Sequence, residues 1–89
     1  MPIALIEAQL AAIPVVATNV GSVPEVVLHN RSGFICSKSN DEVIAAIKKL
    51  AQSKSLRSNF GKAGRVYALK SFSEKDLISI HKKLYLKLK

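Results

Sequence analysis

Residues 2–25 read P-I-A-L-I-E-A-Q-L-A-A-I-P-V-V-A-T-N-V-G-S-V-P-E, and this stretch decides the fold. Pro2 suits a first helical position: the N–H it lacks is one of those left without a partner at a helix start, and its fixed φ is already helical. From there Ile3, Leu5, Ile6, Ala8, Leu10 and Ala11 make the helix apolar around most of its circumference, as in a helix packed on a sheet. Glu7 is the exception, a carboxylate about one turn from the positive end of the helix, where it either reaches solvent or faces a ligand. Ile13-Pro14-Val15-Val16-Ala17-Thr18 is a β-branched run opened by proline, which predicts a strand buried on both faces and therefore a parallel sheet. Asn19-Val20-Gly21-Ser22 supplies turn chemistry, with Gly21 and Asn19 the residues most able to take positive φ.

Beyond this stretch, Val23-Pro24-Glu25-Val26-Val27-Leu28 predicts a helix of two turns, ended by Asn30-Arg31-Ser32-Gly33. His29 at its end reads as a surface residue, because no second His, Cys or acidic cluster stands at ligand spacing. Gly33-Phe34-Ile35-Cys36 predicts a second strand. Ser39-Asn40-Asp41-Glu42 is a capping-box signature for a helix carrying Val43, Ile44, Ala46, Ile47, Leu50 and Ala51. Ser55 is the expected cap of a further helix with Leu56, Phe60, Ala63 and Tyr67 on one stripe, in which Gly61 and Gly64 imply close packing. Ser73 and Asp76 signal a last helix, with Leu77, His81, Leu84 and Leu88 at helical spacing, lysines between them, and His81 and Tyr85 as packing residues. The expected architecture is α/β: a partial Rossmann-like domain with a short parallel sheet and packed helices, an α/β core over 1–52 followed by helices over 53–89.

The chain has 89 residues, room for one domain, and 48% of them are apolar. No apolar run approaches the roughly 20 residues of a membrane span, and no basic n-region precedes an apolar stretch as in a secretory signal. The lone cysteine, Cys36, cannot form an internal disulfide and sits in an apolar run, which predicts a small buried hydrophobe and a cytoplasmic setting. Net charge is +8, divided unevenly: residues 1–47 hold two basic and four acidic side chains, residues 48–89 twelve basic and two acidic. The basic half is either the solvated face of amphipathic helices or a surface for an anionic membrane or acidic partner. Nucleic acid is not expected, since base-stacking aromatics and zinc or recognition-helix patterns are missing.

Neither a nucleophile with a paired base, nor metal-ligand spacing, nor a glycine-rich phosphate loop occurs, so no catalytic residue, metal or cofactor is assigned. What the residues offer is a helix N-terminus at Ile3, Ala4 and Leu5, whose amides can hold phosphate oxygens, with Glu7 one turn on to accept hydrogen bonds from a sugar diol.

Met1-Pro2-Ile3-Ala4-Leu5-Ile6-Glu7-Ala8-Gln9, then Pro14 to Glu25, Asn30-Arg31-Ser32-Gly33-Phe34 and Phe72-Ser73, resemble in order and spacing the C-terminal domain of the group 1 retaining glycosyltransferases. The resemblance implies a GT-B fold, in which two Rossmann-like domains face each other across a cleft, and transfer of a sugar from a nucleotide-sugar donor to a glycan or lipid acceptor. The family carries two glutamates separated by seven residues. The second falls on Glu7, which would bind the donor ribose, with the Ile3, Ala4 and Leu5 amides beside it. The first, which contacts the transferred sugar, would fall just before Met1. The chain is accordingly expected to be a fragment, inactive alone, that pairs with the N-terminal half or with itself through the Leu77, Leu84 and Leu88 stripe. Peripheral attachment to the inner membrane face is a further expectation. Two departures from the family stand out: Ala12 replaces the glycine that usually closes the first helix, and Gly21-Ser22 replaces a glycine pair. The competing reading is a non-catalytic binding or assembly module that works through its basic C-terminal helices on a partner chain or an anionic membrane.

Overall fold

A computed structural model describes residues 2–72. The elements run α1 (Ile3–Leu10), β1 (Val15–Thr18), α2 (Val23–Val26), β2 (Gly33–Cys36), α3 (Asn40–Gln52) and α4 (Lys54–Ser71). β1 and β2 pair in parallel, with Val15 opposite Gly33 and Thr18 opposite Cys36. The helix expected from Ser73 onward, with Leu77, His81, Leu84, Tyr85 and Leu88, lies outside the described residues.

Because side chains alternate across a strand, the two-stranded sheet separates two apolar clusters. On one side Val15 joins Ile6 of α1 and Val23, Val26 and Val27 of α2, with Ala17 and Ile35 packed against them. On the other side Phe34 and Cys36 meet Ala46 and Leu50 of α3 and Phe60 of α4, with Val16 against them. Phe34 and Phe60 touch edge to face, centroids 5.1 Å apart, a geometry that adds to the area they bury. β1 is less enclosed than expected, since Val15 alone is buried and Val16, Ala17 and Thr18 are half-buried. With β2 as its one strand neighbour among the described residues, it is flanked by sheet on a single side.

Several expectations about helix ends are corrected. Pro2 is the N-cap of α1 and Ile3 its first residue. α2 is a single turn: Val27 turns extended, and the Leu28 backbone is instead held by Ser32, whose Oγ accepts from the Leu28 N–H at 2.9 Å while its own N–H donates to the Leu28 carbonyl at 2.9 Å. The capping box at α3 does not form. Ser39 is the N-cap without a side-chain bond, and the Glu42 carboxylate accepts from the Ser37 hydroxyl instead. α4 is capped by Ser53, not Ser55; the Ser53 Oγ accepts from the Leu56 N–H at 3.1 Å. Ser53 also terminates α3, so one extended residue serves both helices.

Gly21 takes φ +51 in the β1–α2 turn, as expected of it, whereas the other described residues with positive φ are Ala12 (+58) and Asn30 (+64), not Asn19. Ala12 thus adopts the left-handed conformation that glycine takes at least cost, and α4 packs directly against it. Gly61 crosses so near that a Cβ on it would lie 2.1 Å from the Ala12 carbonyl oxygen. Gly64, one turn on, faces Gln9 and Ser32. The close packing implied by the two glycines is therefore the contact of α4 with the end of α1.

Candidate functional site

The site expected at the start of α1 can be built from its backbone upward. An N-cap normally lends a side-chain oxygen to the first free amides, but Pro2 has none to lend. Its carbonyl accepts from the Leu5 N–H at 3.1 Å and from the Ile6 N–H at 3.3 Å. Of the three amides nominated from sequence, Leu5 is therefore engaged, and those of Ile3 and Ala4 have no acceptor among the described residues. Ala4 is exposed and Ile3 half-buried, so both lie at the surface end of the helix. No acidic residue stands in the first turn to answer the helix's positive end.

Glu7 follows one turn later, half-buried, and its Oε1 is enclosed without a hydrogen-bond partner. A carboxylate oxygen shielded from water and left unpaired costs free energy, so its place in an otherwise well-bonded helix needs a reason. Within the described residues no lysine or arginine pairs with it. An oxygen of this kind suits a ligand that brings its own O–H donors.

Gln9, which sequence reasoning passed over, is the other polar residue of α1 and has the opposite character. It is fully buried, and its Nε2 donates to the Val26 carbonyl at 2.6 Å and to the Leu5 carbonyl at 3.3 Å, tying α1 to the end of α2. The signal available was a lone amide in an apolar helix, two positions from the carboxylate and on the face of Ile6.

His29 is exposed, and its Nδ1 accepts from the Ile35 N–H at 2.9 Å, so the imidazole satisfies a strand amide of β2. With Asn30, Phe34, Cys36, Glu42 and Lys49 it lines a cavity of about 280 Å³. The polar groups there are largely committed to the fold. The Glu42 carboxyl is held below the usual range by the Ser37 hydroxyl and then by the Ser37 N–H, while burial, followed by the Glu42 charge, pushes the Cys36 thiol up. A thiol shifted in that direction is a poor nucleophile. Among the described residues no group of three or more His, Cys, Asp or Glu side chains is placed to hold a metal ion.

Part of the basic half is structural as well. Arg57 donates to the carbonyls of Leu50 and Ala51 at 2.7 and 2.9 Å, closing the end of α3, and Arg65 donates to the Leu10 carbonyl at the end of α1. Lys49 lies 5.7 Å from the centroid of the Phe34 ring. Among the described residues no helix is long and apolar enough to cross a membrane.

The parallel βαβ unit flanked by packed helices, with an uncapped helix start beside a carboxylate, has the architecture of part of a GT-B glycosyltransferase. Sucrose-phosphate synthase from Thermosynechococcus elongatus superposes on 99% of the chain with a TM-score of 0.79 at 22% identity, the match taking up 22% of that structure. Residues 1–67 match the family Glycosyl transferases group 1, and the chain belongs to that family. It is 29% identical over 91% of its length to N-acetyl-alpha-D-glucosaminyl L-malate synthase of Bacillus anthracis, covering 22% of that protein. It is 39% identical over 76% of its length to the capsular polysaccharide biosynthesis glycosyltransferase CapM of Staphylococcus aureus, covering 18% of it. Over 71% of its length it is 38% identical to a GDP-mannose-dependent alpha-(1-6)-phosphatidylinositol monomannoside mannosyltransferase of Mycobacterium tuberculosis, covering 17%. The chain thus spans about a fifth of the length of the curated relatives it matches.

Proposed function

We infer that the chain forms the donor-binding part of a glycosyltransferase that moves a sugar from a nucleotide-sugar to a glycan or lipid acceptor with retention of configuration. Residues 1–89 are read as the C-terminal portion of the nucleotide-sugar-binding domain, an α/β core to residue 52 followed by helices. The observation that carries this is Glu7 Oε1, enclosed and unpartnered one turn from the Ile3 and Ala4 amides, which have no acceptor among the described residues. A nucleoside diphosphate answers both needs, because its phosphate oxygens accept from amides at a positive helix end and its ribose diol donates to a carboxylate. Leu5 contributes through its place in the first turn, its N–H being held by Pro2. The names of the relatives support the class of reaction: one is GDP-mannose-dependent, and malate and phosphatidylinositol monomannoside appear in two of them. Bond formation to the sugar is assigned to groups other than these, since Ile3, Ala4, Leu5 and Glu7 bind and orient.

The test is a titration of isotope-labelled protein with nucleoside diphosphates and their 2′,3′-dideoxy analogues, read by amide chemical shifts. The Ile3 and Ala4 amides should move most, and the intact ribose should bind more tightly than the dideoxy sugar. Equal binding of both ligands, or shifts confined to other elements, would remove Glu7 as the ribose anchor.

A further inference from the structure

The outer face of α4 and the Leu28–Arg31 turn line a shallow, open groove of about 410 Å³, remote in sequence from Glu7 and untouched by the donor reading. Its lining consists of Leu28, Arg31, Lys62, Ala63, Val66, Tyr67 and Lys70, three cations about an apolar floor, with no carboxylate among them. Both walls are held in place. The Tyr67 hydroxyl donates to the Glu25 carbonyl at 2.6 Å, which fixes its ring in the floor, and Ser32 binds both backbone groups of Leu28. Val66 at the centre is 51% exposed, a large apolar side chain left in water between charged neighbours. Unlike Arg57 and Arg65, the three cations of the groove make no side-chain hydrogen bond or ion pair among the described residues.

We propose that this groove docks an acidic amphipathic helix of a partner protein. Spacing selects that occupant. Lys62 and Lys70 lie eight residues apart on one face of α4, about 12 Å along the axis at 1.5 Å per residue. Ala63, Val66 and Tyr67 lie between them. A helix carrying carboxylates two turns apart, with leucine-like residues on the same face between, meets both lysines and the floor together, and Arg31 takes a third charge from the opposite wall. A single-headed anionic amphiphile satisfies one end and lays its tail against the other cation. An anionic membrane presents headgroups at no fixed spacing, and the vesicle arm of the experiment tests it. The chain's own residues 73–89, with five lysines against Glu74 and Asp76, carry the wrong charge.

The experiment uses a fluorescein-labelled helical peptide with glutamates eight residues apart and leucines on the same face between them, its lysine-for-glutamate counterpart, and phosphatidylglycerol vesicles. Anisotropy should show saturable, salt-sensitive binding of the acidic peptide alone. Lys62→Glu and Lys70→Glu should each weaken it about tenfold, whereas Lys54→Glu, on α4 but outside the groove, should not. Val66→Ser, at an exposed position that leaves the fold intact by circular dichroism, should weaken it with unchanged salt dependence. Absence of saturable binding overturns the proposal, as does equal weakening by Lys54→Glu. Vesicle binding abolished by Lys62→Glu with no peptide binding would replace the helix with a lipid surface. Self-association abolished by the same variant would replace it with a second copy of the chain.

Discussion

At its C-terminal end α1 is bonded to most of its surroundings, while at its N-terminal end the same helix leaves polar groups open. Gln9 holds the Val26 carbonyl, Arg65 holds the Leu10 carbonyl, and the amides of Ala11, Ala12 and Ile13 all find carbonyls within the helix. Gly61 lets α4 lie against the Ala12 backbone. At the other end Pro2 supplies no side-chain acceptor, the Ile3 and Ala4 amides have none among the described residues, and Glu7 Oε1 is enclosed alone. Buried polar groups in folded proteins are satisfied with few exceptions. A helix tied down at one end and unsatisfied at the other is the arrangement on which the proposed donor site rests. The Gln9 Oε1, also without a partner, is the one exception at the supporting end. The contrast can be broken or sharpened by substitution at either end.

The largest effect is expected at Gly61. Helix propensity alone favours alanine by about 1 kcal/mol, but a Cβ there meets the Ala12 carbonyl oxygen at 2.1 Å, a backbone atom that moves only with the α1–β1 connection. Gly61→Ala should lower stability by about 2 kcal/mol in urea denaturation, within the usual range for overpacking. Gly64→Ala is the control, since its nearest neighbours are side-chain atoms of Gln9 and Ser32 at 3.1–3.3 Å, an approach that asks them to give by only a few tenths of an ångström. It should fall within about 1 kcal/mol of wild type. Equal losses at both positions would mean that the close approach to Ala12 is not what fixes the end of α1.

Next comes Gln9→Leu. The Val26 carbonyl loses its donor in a place where Val26 is 2% exposed, and an orphaned buried acceptor costs about 1–3 kcal/mol. Removal of the unpaired Oε1 offsets part of this, so a net loss near 1 kcal/mol is expected. Ala12→Gly should act in the opposite direction. At φ +58 an L-residue is strained by about 1–2 kcal/mol, and Ala12 is exposed, so glycine should raise stability by about 1 kcal/mol after its larger chain entropy is counted.

Ala12 also shows where sequence reasoning reaches its limit. The order of elements, the parallel pairing, the turn at Gly21 and the intimacy of the two α4 glycines could all be read from residue types, because each rests on local chemistry or periodicity. That Ala12 would take a left-handed conformation could not, since alanine carries no signal for it and the geometry is imposed by the connection between α1 and β1. The caps failed for a related reason. Ser53 and Ser55 offer the same hydroxyl two residues apart, and the choice depends on where α3 ends. Glu42 had two serines within reach, and the loop brought Ser37 to it in place of Ser39. At the candidate site, Glu7 stood out as a charge in an apolar helix, whereas the role of Gln9 depends on Val26, which is seventeen residues away and adjacent only once the fold forms.

Glu42 supplies a contrast to Glu7, because it is a carboxylate near a helix start that has found its donor. The Ser37 hydroxyl and N–H hold its pKa down in the folded state. A depressed carboxyl pKa contributes stability that is present above the unfolded pKa and is lost as pH falls through the folded one. Acid titration of wild type against Ser37→Ala should therefore show that increment in the wild type alone, small because Glu42 is exposed to solvent. Curves that stay parallel through the acid range would mean that the Ser37–Glu42 bond does not persist in solution.

The smallest effect on stability, and the sharpest on function, is expected at Glu7. A carboxylate at this position that served the fold would have a donor, as Glu42 does, and its removal would destabilise. Glu7 Oε1 has none, so Glu7→Ala should change stability by no more than about 0.5 kcal/mol, the range of substitutions that break no interaction. Any measurable change should be a gain, since an enclosed unpaired oxygen is removed. Binding should respond quite differently. If the carboxylate accepts hydrogen bonds from a ribose diol, its loss weakens a nucleoside diphosphate by about 1.5–3 kcal/mol, the value of a hydrogen bond to a charged group. Glu7→Gln, which keeps the shape but trades one acceptor for a donor, should fall between the two, and neither variant should discriminate intact ribose from its dideoxy analogue. Paired urea and nucleotide titrations on the three proteins separate the readings. A loss of stability with unchanged binding would make the start of α1 as structural as its end, and the contrast between the two would disappear.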